Sequence, residues 1–221
     1  MTDGRVAALL GDVVRSRGHA ERGRLQERLA EALSAANGRV EAVQPLTPTI
    51  GDEFQGLYAT PAGALEASLL ARLALVGDAD VRFGIGWGTL RLHDRPRAPF
   101  GQDGPAWWAA REAIDQIDRS QRSRESPRGL RTRLLAAASD DDGAPEPWPA
   151  IEALLLCRDE LASRLRARDA RLLLGLLDGR SPTELAAEEG VTPSAVSQRA
   201  IAKGLYALRD AARAMRSATW A

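Results

Sequence analysis

The chain has few of the residues that build redox centres or soft-metal sites. Its 221 residues include one cysteine, Cys157, and two histidines, which excludes an intrachain disulfide and leaves too few ligands for a structural zinc site. Cys157 follows the apolar run at residues 151–156, so we expect its thiol to be buried. Only Lys203 among the 30 basic residues is a lysine. Arginine must therefore supply almost all of the positive charge.

Long apolar runs and a net charge are also missing. No run is long enough to cross a bilayer, the start has no signal-peptide pattern, and the formal net charge is +0 with 44% hydrophobic residues. This composition is typical of a soluble globular protein, and it predicts a cytoplasmic location without membrane insertion. At this length the chain can bury one substantial core or two small ones.

The charges are unevenly distributed along the chain. Residues 191–221 carry Asp210 as their one acidic residue, against five basic residues: Arg199, Lys203, Arg209, Arg213 and Arg216. Residues 139–147 are acidic and rich in proline and glycine, which is typical of a linker. We therefore predict two domains, a mixed α/β domain at residues 1–143 and a helical domain at residues 144–221.

Strand and helix patterns alternate in the first region. Strand patterns occur at residues 5–12, 40–43, 54–58, 80–88 and 131–137. Helix patterns begin near Leu25, at Thr60 and at about Pro105. The order βα, ββ, αβ and a further helix predicts an α+β fold with a ferredoxin-like antiparallel sheet. Alternate glycines within residues 80–88 indicate that another element packs closely on that strand.

Two aspartates end predicted strands and form a candidate metal site. If the strands that carry Asp12 and Asp52 are neighbours, the two carboxylates converge. At about 4 Å they would repel by about 4 kcal/mol at an effective dielectric near 20, so they need a shared proton or a divalent cation. Oxygen ligands without His or Cys favour Mg²⁺ or Mn²⁺. Alternatively, Asp12 caps the next helix and Asp52 decorates an exposed turn.

Three motifs carry a family resemblance. Residues 49–54, Thr-Ile-Gly-Asp-Glu-Phe, resemble the metal-binding hairpin of class III nucleotidyl cyclases and GGDEF domains, and residues 11–13 resemble their first metal aspartate. Residues 101–111 resemble the cyclase helix that supplies a phosphate-binding arginine. In order, Gly-Asp-Val-Val-x-Ser-Arg, Gly-Asp-Glu-Phe-Gln-Gly and Gly-x-Asp-Gly-Pro-Ala-Trp-Trp resemble the SatD family over about two thirds of the chain.

The resemblance implies a nucleotidyl-cyclase or palm-like domain with defined site residues. It implies metal ligation by Asp12 and Asp52. It also implies nucleotide or phosphate contacts from five residues: Gly11, Val13, Gly51, Glu53 and Arg111.

The departures from the cyclase pattern favour binding over cyclisation. Pro48 replaces a base-selecting lysine of many cyclases, Trp107 replaces the asparagine that contacts ribose, and Ile50 replaces the first glycine of GGDEF domains. Metal and phosphate ligands are kept while base and ribose ligands are lost, and phosphoryl transfer depends on positioning groups. Trp107 and Trp108 could stack on a base, fill a dimer interface or belong to the core.

The last region has the pattern of a helix-turn-helix. A capping box from Ser181 to Glu184 opens one helix, Gly190 ends it, and Thr192 with Pro193 opens the next. The arrangement resembles the DNA-binding region of sigma-like factors. It implies base contacts from Ser194, Ser197 and Gln198 in the leading turns of the second helix. It also implies phosphate contacts from Arg199, Lys203 and Arg209. The alternative is an ordinary three-helix bundle with a basic face, and Val196, Ala200, Leu205 and Leu208 would be its core side.

These patterns predict a DNA-binding transcriptional regulator that forms a homodimer. Its cyclase-like domain would bind a nucleotide or another phosphate ligand with Mg²⁺ or Mn²⁺ and would change the dimer geometry. One alternative is a divergent nucleotidyl cyclase or nucleotidyltransferase with the metal at Asp12 and Asp52. Another is a scaffold for protein contacts that binds no nucleotide.

Overall fold

The computed structural model describes residues 4–14, 22–49, 51–92, 102–137 and 148–218. The predicted linker and domain boundary lie outside these ranges. The strands are β1 (Val6–Val13), β2 (Gln44–Pro48), β3 (Glu53–Tyr58), β4 (Val81–Gly88), β5 (Arg91–Leu92), β6 (Gln102–Asp103) and β7 (Thr132–Ala136). The helices are α1 (Arg22–Asn37), α2 (Pro61–Ala74), α3 (Pro105–Gln121), α4 (Trp148–Ser163), α5 (Ala167–Leu177), α6 (Pro182–Glu189), α7 (Pro193–Ala202) and α8 (Leu205–Arg216).

The main sheet has five strands in the order β2-β3-β1-β4-β7, and β5 pairs with β6 in a separate ribbon. The element order predicted from the sequence is confirmed from β1 through β4 and for α3 and β7, but the strands β5 and β6 between β4 and α3 were not predicted. The prediction of a wholly antiparallel sheet is wrong, because β7 runs parallel to β4. The chain leaves β4 and returns through α3, and a parallel neighbour requires a long crossover of this kind.

The second strand lies four residues later than predicted. β2 spans Gln44–Pro48 rather than residues 40–43, and Val43 is 61% exposed. Its prolines suggested a break in the structure. These prolines are tolerated because β2 is at the edge of the sheet. Proline has no backbone N–H, and an edge strand can lack that donor without losing a hydrogen bond of the sheet.

The two faces of the sheet carry different helices. Even-numbered β1 residues such as Ala8 and Leu10 pack on α3, whereas odd-numbered ones such as Leu9 pack in the core with α1, α2 and α4. The backbone of α3 lies directly on β4, as the alternate glycines predicted. A Cβ atom at Gly86 would lie 1.9 Å from the carbonyl oxygen of Ala106. Glycine is therefore required there by the close approach of the helix.

The C-terminal helices share a core with the first region. Leu69 and Leu73 of α2 pack with Leu172, Leu173 and Leu176 of α5. Helix α2 thus lies between the sheet on one side and α5 to α8 on the other. The helical region is consequently held against the α/β region by apolar burial as well as by charge.

A buried ionic network joins α2, α4 and the start of β7. Asp159 is completely buried, pairs with Arg72 at 2.9 Å, and accepts hydrogen bonds from the amides of Arg131 and Thr132 at 2.7 and 2.6 Å. Arg158 adds a second guanidinium at 3.2 Å. Burial lowers the pKa of Arg72, and Asp159 opposes that effect. The network fixes α4 against the sheet because each charge has a partner.

Cys157 does not have the burial expected from its sequence context. Its side chain is exposed, because α4 turns Ile151, Leu155 and Asp159 toward the interior instead. No helix within the described ranges is long and apolar enough to cross a membrane.

Candidate functional sites

The register of the sheet brings three charged residues together at one end of β1. Asp12 lies opposite Glu53 on β3 and opposite Arg82 on β4. Directly opposite residues of antiparallel strands project from the same face, so all three side chains lie on the α3 side. Asp52 precedes Glu53 in the hairpin turn, where Gly51 has a positive φ of 74° that favours glycine. The first strand and the hairpin are thus neighbours, as expected, but the register places Glu53 rather than Asp52 opposite Asp12.

Arg82 holds the carboxylate of Asp12 from β4. Its Nε and Nη2 donate to the two oxygens of Asp12 at 2.9 and 2.6 Å, and its Nη1 donates to Asp118 of α3 at 2.6 Å. The hydrogen bond to Asp12 is the main reason that the pKa of Arg82 is raised. Arg82 in turn lowers the pKa of Asp118. No local pattern in the sequence indicates this pairing, because it connects residues 70 positions apart.

Arg111 lies in the same cluster, where the cyclase resemblance places a phosphate-binding arginine. Its Nη1 and Nη2 donate to the Glu53 carboxylate at 3.2 and 3.1 Å. This hydrogen bonding raises the pKa of Arg111 against the opposing effect of burial, with smaller contributions from Asp115 and Asp12. The side chains of Arg111 and Glu53 are 47% and 41% exposed. Glu53 thus orients a guanidinium that an incoming ligand could reach.

Two of the predicted ligand contacts face the opposite side of the sheet. Val13 is 3% exposed in the core with α1 and α2, so its side chain faces away from Asp12, and its ligand contact stays a prediction. A Cβ atom at Gly11 would lie 2.1 Å from the Phe54 ring. The glycine at position 11 is explained by this ring, because any larger side chain would displace it. Alternation along β1 puts both residues on the face away from Asp12.

The acidic residues suit a hard cation only in part. Within the described ranges, no group of three or more His, Cys, Asp or Glu side chains is placed to hold a metal ion. Asp12 and Asp52 offer oxygen ligands, as Mg²⁺ and Mn²⁺ prefer, and Mg²⁺ often takes only one or two protein carboxylates beside water and phosphate oxygens. Both oxygens of Asp12 already accept hydrogen bonds from Arg82, so a cation at Asp12 would have to share that carboxylate with the guanidinium.

The two tryptophans of α3 have different environments. Trp107 is 8% exposed and packs with Leu10 and Ile114, so it belongs to the core. Trp108 is 55% exposed, and its indole Nε1 donates to Asp103 at 2.6 Å. Only Trp108 of this pair is available to a ligand or a partner.

Helices α6 and α7 are joined by the short turn at residues 190–192. The Ser181 hydroxyl accepts from the Glu184 amide at 3.3 Å, and Gly190 ends α6 with a φ of 65°. The Thr192 hydroxyl accepts from the Ala195 amide at 3.2 Å and fixes the start of α7. The four residues predicted to form the core side are all buried: Val196, Ala200, Leu205 and Leu208.

The outer face of α7 combines polar and apolar side chains. Ser194 and Gln198 are exposed, and the Gln198 amide lies 3.4 Å from the Ser194 hydroxyl. Ser197 is partly exposed. Ile201 is 71% exposed on the same helix. Sequence reasoning did not include Ile201, although its position out of phase with Val196 and Ala200 could have indicated exposure.

Two of the three basic residues predicted to contact phosphates near α7 are paired with carboxylates. The Nε of Arg199 donates to Asp169 at 2.5 Å, and Asp169 is completely buried. Arg199 therefore ties α7 to α5. Lys203 forms no side-chain hydrogen bond or ion pair within the described ranges, although its charge helps to lower the pKa of Asp169. Arg209 pairs with Asp210 at 2.8 Å.

The fold and the charged cluster define an α+β protein with a five-stranded mixed sheet and a helical C-terminal region. The sequence model of the SatD family matches residues 6–216, so the chain belongs to the SatD family. Among solved structures, the guanylyl cyclase Cya2 is similar over 51% of this chain and 70% of its own, with 15% identity and a TM-score of 0.35. No curated protein matches the sequence.

Proposed function

We propose that this protein binds DNA through α6 and α7, which act as a helix-turn-helix with α7 as the recognition helix. The observation that carries the proposal is the outer face of α7, where Ser194, Gln198 and Ile201 are exposed together. Ser and Gln side chains hydrogen-bond to base edges in the major groove, and apolar side chains contact the thymine methyl group. Such a mixed face is suited to reading bases.

The surroundings of α7 support the same proposal. Capping at Ser181 and Thr192 and the left-handed Gly190 fix the angle between α6 and α7. Lys203 ends α7, and among the described residues its ammonium makes no hydrogen bond or ion pair, which suits a phosphate contact. Ile201 is 71% exposed beside Gln198, and contact with a thymine methyl group would cover it.

We further propose that the charged cluster around Asp12 binds a nucleotide or another phosphate ligand, together with Mg²⁺ or Mn²⁺. The specific observation is the convergence of Asp12, Glu53 and Arg111 from three elements on one face. In a homodimeric transcriptional regulator, the ligand would change DNA affinity by preferring one arrangement of the two copies. Two α7 helices of such a dimer would enter successive major grooves of a palindromic site.

The same cluster supports an enzymatic alternative, a divergent nucleotidyl cyclase or nucleotidyltransferase. Incubation with ATP, GTP, CTP and UTP plus Mn²⁺, followed by chromatography of the products, separates this alternative from ligand binding. A new cyclic or transferred nucleotide that disappears in Asp12→Asn would favour the enzyme. Unchanged nucleotides would favour binding.

The DNA proposal is tested by selecting fragments from a random duplex library with the full chain and measuring gel shifts on those enriched. Gln198→Ala should weaken discrimination at one base by about 1–3 kcal/mol, because a base contact is lost. Gln26→Ala removes a matched exposed glutamine from α1 and should have no effect. The proposal fails if no sequence is enriched, or if the two variants bind alike.

A further inference from the structure

A cleft of about 640 Å³ lies between the start of α6 and one side of α8. It is separate from the Asp12 cluster and from the outer face of α7. Three arginines line it: Arg180 before α6, and Arg209 and Arg213 on α8. Among the described lining residues there is no carboxylate. The cleft therefore presents a concentration of positive charge.

The cleft has a defined arrangement of side chains on α8. Tyr206, Arg209 and Arg213 are spaced three and four residues apart, so they form one stripe of the helix. The Arg209 guanidinium lies 4.9 Å from the centroid of the Tyr206 ring. Two hydrogen bonds to Asp210, at 2.8 and 3.1 Å, fix the direction of the Arg209 fork. Its remaining donors are consequently held in place before any ligand arrives.

The positive charges of the cleft are only partly balanced. Arg180 pairs with Glu188, and Arg209 pairs with Asp210. Arg213 reaches only the carbonyl oxygen of Leu176, at 3.5 Å, among the described residues. The pKa of Asp210 is lowered by its hydrogen bonds from Arg209 and also by the nearby charge of Arg213, and Glu184 and Asp178 lie near Arg180. Among the described residues, however, Arg213 forms no direct ion pair, and it lies beside two further guanidiniums. Like charges so placed favour an anion between them.

We propose that this cleft binds a phosphate group. Guanidinium forks match phosphate oxygens, and several arginines around one concave site suit an anion with more than two acceptor oxygens. The volume is within the range of small-ligand pockets, about 300–1,000 Å³. The cleft adjoins α6, the helix that crosses the DNA backbone in a helix-turn-helix. A backbone phosphate of bound DNA is the source that we argue for, and this part rests on the DNA proposal; a free phosphorylated small molecule has the same chemistry.

The test compares Arg213→Gln with Arg164→Gln, which removes an exposed arginine just after α4 that pairs with Glu160 outside the cleft. In the first arm, fluorescence anisotropy measures binding of the full chain to a random-sequence duplex at several salt concentrations. Arg213→Gln should reduce the slope of log K against log[salt] by about 0.9, the value for one lost phosphate contact. Arg164→Gln should leave the slope unchanged.

In the second arm, calorimetry without DNA measures binding of pyrophosphate and ATP to the same proteins. Loss of binding in Arg213→Gln alone assigns the cleft to a free phosphorylated ligand, and a change in the salt slope alone assigns it to the DNA backbone. Either result supports a phosphate site. If the two variants behave alike in both arms, the phosphate site is refuted.

Two further provisions keep the outcomes distinct. If the wild-type chain binds no DNA, the DNA proposal fails, and the calorimetry still decides whether the cleft takes phosphate. If Arg213→Gln does not fold, Arg180→Gln changes the opposite side of the cleft and is measured in the same two arms.

Discussion

The ion pair between Arg199 and Asp169 allows two roles of Arg199 to be distinguished: a contact with a DNA phosphate and a structural contact with a buried carboxylate. The sequence predicts a phosphate contact for Arg199, whereas the structure pairs it with a completely buried carboxylate at 2.5 Å. Asp169 also accepts from the amide of Arg166 at 3.0 Å at the start of α5. Arg199→Gln should therefore destabilise the protein, because it leaves a buried carboxylate with one of its two partners.

The magnitude follows from the burial of the two partners. Removing one partner of a fully buried ion pair costs about 3–5 kcal/mol. The Arg199 side chain is 35% exposed, and solvent screening reduces the cost to about 2 kcal/mol. For a chain of this size, that corresponds to a fall of about 4–8 °C in Tm. Asp169→Asn combined with Arg199→Gln should recover part of the loss, since an amide needs no cation.

The pH dependence of the Arg199→Gln effect provides an independent check. Burial raises the pKa of Asp169, but the Arg166 amide and Arg199 outweigh it, and the pKa lies below its ordinary value. A lowered carboxyl pKa contributes stability above the unfolded value near 4, and this contribution is lost as pH falls through the folded value. Urea unfolding at pH 7 should therefore show the effect of Arg199→Gln in full, and unfolding at about pH 3 should show less. An unchanged Tm at pH 7 with a lower salt slope for DNA binding would refute the structural role.

Three further predictions concern packing, the buried network and the ligand. Gly86→Ala should lower Tm strongly, because the new Cβ would lie 1.9 Å from a carbonyl oxygen of α3, whereas Gly23→Ala meets nothing within 4 Å and should not lower it. Asp159→Asn should cost about 3–5 kcal/mol in urea unfolding, since it leaves two buried guanidiniums without a full counter-charge. Asp12→Asn should abolish the thermal stabilisation by nucleotide plus Mn²⁺, which is about 2.7 kcal/mol at a ligand concentration of 100 Kd; equal stabilisation of both proteins would contradict a role for Asp12.

The elements predicted from local patterns are those that the structure confirms most closely. Leucine spacing predicted α1 and α2, and the glycines of β4 predicted the close approach of α3. Features that depend on contacts with distant parts of the chain, such as the position of β2 and the exposure of Cys157, were not predicted. The position of β2 depends on its place at a sheet edge, where Pro45 and Pro48 are tolerated. The exposure of Cys157 depends on which face of α4 meets the sheet, and periodicity does not decide that when a helix is apolar on most sides.

In the candidate site, too, the residues within sequence motifs were predicted, whereas their pairings with distant parts of the chain were not. The motifs placed Asp12 and Arg111 in one site, and the structure brings them near each other. The partners Glu53 and Arg82 follow from strand register, because a slip of one residue would turn either side chain to the opposite face. The ion pair of Arg199 could not be predicted for a similar reason, because its partner Asp169 lies 30 residues away on another helix. The phosphate contact of Arg199 stays a prediction.

The layered arrangement restricts how a ligand at Asp12 could act on α7. The Asp12 cluster lies on the α3 face of the sheet, whereas α5 to α8 pack beyond α2 on the other face. Arg39 of the first region also pairs with Asp178 at 2.8 Å, but such a half-exposed pair contributes little beside the shared apolar core.

Because that core joins α2 to both the sheet and α5, the two regions of one chain should move as a single body. In the proposed homodimer, a ligand that alters DNA binding would then act on the placement of the two copies, and its effect should weaken at protein concentrations where such a dimer dissociates.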